Sequence, residues 1–289
     1  MRAEAIVACR NQLGEGATWS SRRGVLHWVD IERGELWSLD PLSGATTTAR
    51  APERLGAAVE RVGGGFLLAL ASRFALADED LGKIETLAAI EPGLGTRLND
   101  GRCDRQGRYV GGTMDDTKPR QPKGAVYRVD ADHRVTRLFG DVHVTNSICF
   151  SPDGRTMYFA DSARKRILAY AYDIETGTPS HPRLFADLAN EAGVPDGSTV
   201  DAEGCVWNAR FGGGCVVRHA PDGREIARVT LAASNATCPA FGGPGLATLY
   251  VTTARAALSE EQLAAQTRAG DLFACEPGVA GLAEAAFAG

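Results

Sequence analysis

Four oxygen-bearing side chains stand at nearly the same distance ahead of short aromatic or β-branched runs. Glu15 precedes Trp28 by 13 residues, Asn99 precedes Val110 by 11, Asn146 precedes Tyr158 by 12, and Asp196 precedes Trp207 by 11. Carboxylates and carboxamides that recur at one register can converge on a divalent cation, since hard ions prefer oxygen donors. Histidine and cysteine offer no rival site. His27, His133, His143, His181 and His219 are dispersed with none at i,i+3 or i,i+4 spacing, and the seven cysteines (9, 103, 149, 205, 215, 238, 275) contain no Cys-x-x-Cys pair. Their odd number and scatter fit reduced, mostly buried small hydrophobes.

The same residue types have a plainer use, because Asp and Asn at strand starts often hydrogen-bond their own backbone in turns. The chain carries its own control in three Pro-Asp-Gly tripeptides. Pro152-Asp153-Gly154 and Pro221-Asp222-Gly223 fall between strands and read as hairpin turns, whereas Pro195-Asp196-Gly197 falls before a first strand and reads as functional. Register alone leaves two readings open for Glu15, Asn146 and Asp196, a metal site or a chance convergence of turn residues.

The elements that must position these residues follow from a period-two pattern with almost no helical stripe. Runs centred at 28, 68, 110, 158, 207 and 250 recur every 40 to 49 residues, each followed by a second strand such as Leu36–Asp40 or Ile167–Tyr170. A period in the forties with four short strands per unit predicts an all-β fold, a six-bladed β-propeller with four antiparallel strands per blade and one domain over residues 1–289. In such a fold the first strand of each blade lines the central channel, so the four registers above meet there. Two blades, near Leu55 to Ala57 and Ala236 to Pro239, offer no acid. The strongest helical candidate, 259–269 with a Ser259 N-cap and a Glu soon after, reads as a surface insertion in the last unit.

Composition narrows the function class. With 44% hydrophobic and 23% charged residues the 289-residue chain can bury a large core, and a formal charge of −5 with interspersed signs provides no basic stripe for nucleic acid and no polybasic patch for a membrane. The apolar run near Met1 is too short for a signal peptide and carries Glu4, which points to a soluble, cytoplasmic protein and a small-molecule partner. A monomer is expected.

Five motifs in order, Leu13-Gly14-Glu15-Gly16 with Trp19, Arg97-Leu98-Asn99-Asp100-Gly101, Gly107-Arg108-Tyr109 with Gly112-Thr113-Met114, Pro195-Asp196-Gly197, and Leu249-Tyr250-Val251-Thr252 with Ala254-Arg255, resemble the regucalcin (senescence marker protein) and gluconolactonase family. The similarity runs from Glu15 to about Ala288 and is nearest to the bacterial sugar lactonases, xylonolactonase foremost. It implies that Glu15, Asn146 and Asp196 hold one divalent ion, with Asp196 the catalytic base, and that Arg97 and Asn99 bind the sugar. The implied reaction is hydrolysis of a xylonolactone- or gluconolactone-type substrate to the aldonic acid. Fe²⁺, Mn²⁺ or Zn²⁺ is favoured over Ca²⁺ or Mg²⁺, because three protein ligands plus waters suit a six-coordinate ion. Two departures stand out: Asn146-Ser147 where the family commonly has Asn-Gly, and Thr117 where regucalcin has an acid, with Asp115 and Asp116 adjacent as substitutes. A nucleophilic serine is not needed and no Gly-x-Ser-x-Gly elbow occurs. The rival readings are a propeller hydrolase of phosphotriesters or aromatic esters and a calcium-binding regulatory propeller without enzyme activity.

Overall fold

The alternating pattern resolves into six four-stranded antiparallel sheets around a central channel, in a computed structural model that describes residues 1–289. Blade one is Gly14–Ser20, Val25–Asp30, Glu35–Leu39 and Thr46–Arg50; blade two begins with Leu55–Glu60, blade three with Thr96–Cys103, blade four with Thr145–Phe150 and blade five with Val194–Val200. Blade six closes the ring. Its inner strands Ala236–Gly242, Thr248–Thr253 and Leu272–Cys275 receive Glu4–Val7 from the other end of the chain as the outermost strand, with Glu4 opposite Ala274 and Ala5 opposite Phe273. Each first strand packs against its two neighbours around the ring, so all six line one channel.

Blade packing follows from sheets that are apolar on both faces. Six separate buried clusters lie one at each blade interface, for example Val29, Leu36, Leu55 and Leu68 between blades one and two, and Trp28, Leu26, Ala240 and Tyr250 between blades six and one. Trp28 and Trp207 are among the largest fully buried side chains. Each keeps its indole N–H satisfied, on Asn11 Oδ1 at 2.9 Å and on Asp201 Oδ2 at 2.8 Å respectively. Burying side chains of this size contributes roughly 2–3 kcal/mol each.

Every inner strand is interrupted by a register shift at the same depth: Glu15/Thr18, Leu55/Ala57, Leu98/Asp100, Asn146/Cys149, Pro195/Ser198 and Ala236/Pro239. A β-bulge re-aims side chains and twists the strand locally, and here it falls on the four residues singled out by register. The helix over 259–269 is shorter than expected. It spans Glu260–Ala265, exposed, with Ser259 and Gln262 forming a reciprocal capping box. Beyond it Ala269 is buried and Gly270, at φ +83°, lies against the Asn11 backbone, which turns the chain into the next strand instead of continuing the helix. All seven cysteines are free and six are buried. No helix is long and apolar enough to cross a membrane.

Candidate active site

The bulges bring Glu15, Asn146 and Asp196 together near the start of three inner strands, and all three are buried, at 5%, 4% and 5% exposure. The Asp196 carboxyl interacts directly with Glu15 and with the Asn146 carboxamide. Burial raises the Asp196 pKa well above its ordinary value, and the charges of Glu15 and Asp100 add to the effect. Glu15 is pushed up to about 8, first by burial and then by Asp100, against the pull of the Gly16 N–H, 3.1 Å from Oε2. Buried like charges with few donors are electrostatically unsatisfied.

A divalent cation fits this donor set. Two carboxylates and one carboxamide oxygen are donor types that a hard divalent ion accepts, although no cluster of three or more His, Cys, Asp or Glu side chains suited to a metal occurs in the chain. Asn146 is held by its neighbours. Its Nδ2 donates to Ser162 Oγ at 2.8 Å, and Ser162 in turn donates to the Pro195 carbonyl at 2.7 Å. The amide is thereby oriented with Oδ1 left over, whose single donor is Asn99 Nδ2 at 3.4 Å.

Arg97 and Asn99 stand beside these groups, also buried. Arg97 Nη1 donates to Asn99 Oδ1 at 2.7 Å and to the Leu98 carbonyl at 3.0 Å, while Asn99 Nδ2 donates to the Thr145 carbonyl at 2.9 Å. Arg97 Nε has no hydrogen-bond partner and lies 3.7 Å from Asp116 Oδ1. Burial, then the neighbouring Arg54 charge, lowers the Arg97 pKa to about 10. The guanidinium stays charged near neutrality with one N–H unused.

The inner strands and their polar cluster are matched by known proteins. Residues 13–255 match the family described as SMP-30/Gluconolactonase/LRE-like region. L-arabinolactonase of Azospirillum brasilense is 42% identical over 291 residues, covering 100% of this chain and 96% of that protein. The chain belongs to the SMP-30/gluconolactonase/LRE-like family. A second relative, 6-deoxy-6-sulfogluconolactonase of Pseudomonas putida, is 40% identical across 99% of this chain and 98% of its own length. Among solved structures, the calcium-binding protein regucalcin from Agrobacterium tumefaciens superposes with a TM-score of 0.93 at 36% identity, covering 99% of this chain and 97% of its own.

Within this SMP-30/gluconolactonase-like chain the departure at Ser147 has a physical explanation. Ser147 adopts φ +61°, a left-handed conformation that costs a residue with a Cβ about 1 kcal/mol. Its hydroxyl offsets that cost by donating to the Asp196 carbonyl at 2.6 Å, a bond that glycine lacks. Around the channel mouth, beside Thr117, Asp115 and Asp116 have different partners. Asp115 organises the loop, accepting from the Thr117 and Gln121 N–H groups at 2.9 and 2.6 Å. Asp116 faces Arg97 and takes two hydrogen bonds from Arg54, at 3.2 and 2.5 Å.

Asn208, on the strand after Asp196 and expected from sequence only to pack or cap within its blade, supports the Asp196 backbone. Its Nδ2 lies within 2.9–3.3 Å of Ser147 Oγ, Ser198 Oγ and the carbonyls of Asp196 and Gly197, and its two protons serve two of these at a time. Arg210 donates to Asn208 Oδ1 and so fixes which end of the amide faces the strand. Arg210 supports Asn208 within blade five, whereas Asn208 also reaches Ser147 of blade four. The available signal was their position on the strand following Asp196, which does not distinguish support of a neighbour from ordinary packing.

Proposed function

We propose that the chain is a divalent-metal-dependent sugar lactonase that opens a five- or six-carbon aldonolactone to its aldonic acid. Enzyme class follows from family membership, with relatives named as lactonases aligned end to end. One observation supports metal dependence: Glu15, Asp196 and the Asn146 carboxamide share one buried point, where burial and the Glu15 and Asp100 charges oppose ionisation of Asp196. When bound, a divalent cation supplies Lewis acidity toward the lactone carbonyl. Glu15, Asn146 and Asp196 hold it, with Fe²⁺, Mn²⁺ or Zn²⁺ favoured.

Asp196 accepts a proton from the attacking water as its oxygen bonds to the carbonyl carbon, and returns that proton to the ring oxygen as the C–O bond breaks. Ser147 and Asn208 hold the Asp196 backbone, which limits its carboxyl to one approach direction. Arg97, with its unused Nε–H, and Asn99 orient the sugar hydroxyls. Asp116, balanced by Arg54, provides an acceptor at the same rim. A polar, charge-balanced rim suits a polyhydroxylated lactone better than an aromatic ester or phosphotriester.

The deciding experiment is turnover of arabinono-, xylono- and gluconolactone by chelator-treated protein, alone and with Fe²⁺, Mn²⁺, Zn²⁺, Mg²⁺ or Ca²⁺, beside a phosphotriester control. Activity on a sugar lactone that returns only with added ion is expected. Full activity in excess chelator, or preference for the phosphotriester, overturns the proposal.

A further inference from the structure

The C-terminal segment lies across the face of the propeller opposite the proposed catalytic mouth. Ala202 donates to the Ala280 carbonyl, Gly281 to Leu246, Phe287 to Glu60 and Ala288 to Gly107, while Arg61 Nε donates to the Gly289 carbonyl at 2.9 Å. Four blades are thus tied by one strap, and Phe287 is fully buried beneath it. The strap covers a cavity of about 250 Å³ lined by Trp19, His27, Glu60, Arg102 and Glu284 among others.

From this strap Glu284 reaches into the end of the channel. Its Oε1 accepts from Arg102 Nη1 and from Thr199 Oγ1, the latter at 3.3 Å, and the two side chains of the ion pair are 7% and 13% exposed. Arg102 Nη2 also contacts Cys238 Sγ at 3.7 Å. Arg102 shares its strand with Asp100, two residues nearer the mouth, a rise of about 7 Å. Asp100 is buried, takes the Gly101 N–H at 2.8 Å, and faces both Glu15 and Asp196 electrostatically. Down the channel the paired carboxylates and Asp100 are followed by Arg102, and Arg102 is followed by Glu284. Burial alone would depress the Arg102 guanidinium, yet Glu284, followed by Cys238 and Asp100, holds it above its ordinary value.

We propose that Glu284 is a positioning residue for cation binding: by neutralising Arg102 at the closed end of the channel, it keeps a buried positive charge from opposing a divalent ion held by Glu15, Asn146 and Asp196. The inference rests on the metal reading above. A unit charge about 10 Å from a divalent ion, at the effective dielectric of about 20 that suits a partly solvated cavity, changes its affinity by tenfold or more. The strap's backbone contacts do not depend on this charge, because glutamine at 284 keeps the hydrogen bonds from Arg102 and Thr199.

The test compares Mn²⁺ affinity, by calorimetry on the full chain, in the wild type, Glu284→Gln and the double variant Arg102→Met/Glu284→Gln. Binding at least tenfold weaker is expected in the single variant, returning to within about threefold of wild type in the double. A single variant within threefold of wild type overturns the inference. So does a double variant as weak as the single, since that is the result of a purely structural latch. Wild-type protein that takes up no Mn²⁺ overturns the metal reading and this inference with it, whereas wild-type binding with an unaffected single variant sinks this inference alone.

Discussion

Replacing Asp196 with asparagine should make the metal-free protein more stable while it abolishes the proposed function. The reasoning starts from the acids at the channel mouth. Asp196 is held well above its ordinary pKa by burial and then by the charges of Glu15 and Asp100, and Glu15 is pushed from 4.5 to about 8. An acid whose pKa is raised on folding binds its proton more tightly in the folded state. The penalty is therefore absent below the unfolded pKa, near 4, and grows as pH rises toward 8. At about 1.4 kcal/mol per pKa unit, the Glu15 shift corresponds to roughly 5 kcal/mol for Glu15 itself. Much of that is burial and relaxes when water enters, so removing the Asp196 charge should recover about 1–2 kcal/mol. For a chain of this size each kcal/mol moves Tm by roughly 2–4 °C, which gives a rise of about 2–8 °C at pH 8 in chelator and almost none at pH 4. Thermal melts of both proteins at the two pH values, with and without saturating Mn²⁺, check the argument. Mn²⁺ at about a hundred times its Kd should stabilise the wild type by roughly 2.7 kcal/mol and leave Asp196→Asn unmoved. A variant that melts below the wild type at pH 8 in chelator would refute the reasoning, because it would mean that the carboxyl contributes more in hydrogen bonds than it costs in repulsion.

Asn99→Ala should retain bound metal and lose kcat/KM by tenfold or more on a sugar lactone, with a much smaller loss on an unsubstituted lactone; equal losses in steady-state assays would assign Asn99 to support of Asn146 and Arg97, its observed neighbours. Asp153→Ala and Asp222→Ala each remove a turn acceptor, for the Arg155 and Arg224 N–H groups respectively, so each should cost about 1 kcal/mol or less in denaturant titrations and leave metal affinity unchanged. Ser147→Ala keeps the left-handed backbone but loses the bond to the Asp196 carbonyl, and should destabilise by about 1–2 kcal/mol, whereas Ser147→Gly also relieves the strain and should be close to neutral. Matching Tm values for the two substitutions would show that the serine hydroxyl does not hold Asp196.

The difference between Asp196 and the other two Pro-Asp-Gly aspartates shows what could be read from the chain alone. Their local sequences are identical, and only the blade register separates them; the structure places Asp153 and Asp222 at hairpin turns and Asp196 in an inner strand. The forties period sufficed because each blade repeats the same apolar alternation, a local property that the chain states six times over. Helix length was less legible. The Ser259 N-cap is local and legible, although its box partner is Gln262 and not a glutamate, and the end at Gln266 is imposed by burial of Ala269 and by the approach of Gly270 to Asn11, which is 259 residues away in the chain.

By itself the sequence determined the propeller class, the blade register and the oxygen-donor character of the candidate site, since all three depend on residue type and spacing along one strand. Only the tertiary structure decided the closure of the ring by Glu4–Val7, the different partners of Asp115 and Asp116, and the support that Asn208 and Ser147 give Asp196. The same holds for the charge column that ends on Glu284. Each of these joins residues from different blades or distant turns, and the pairing energy that selects them arises only once inter-blade packing has removed the groups from water and made an unpaired partner costly.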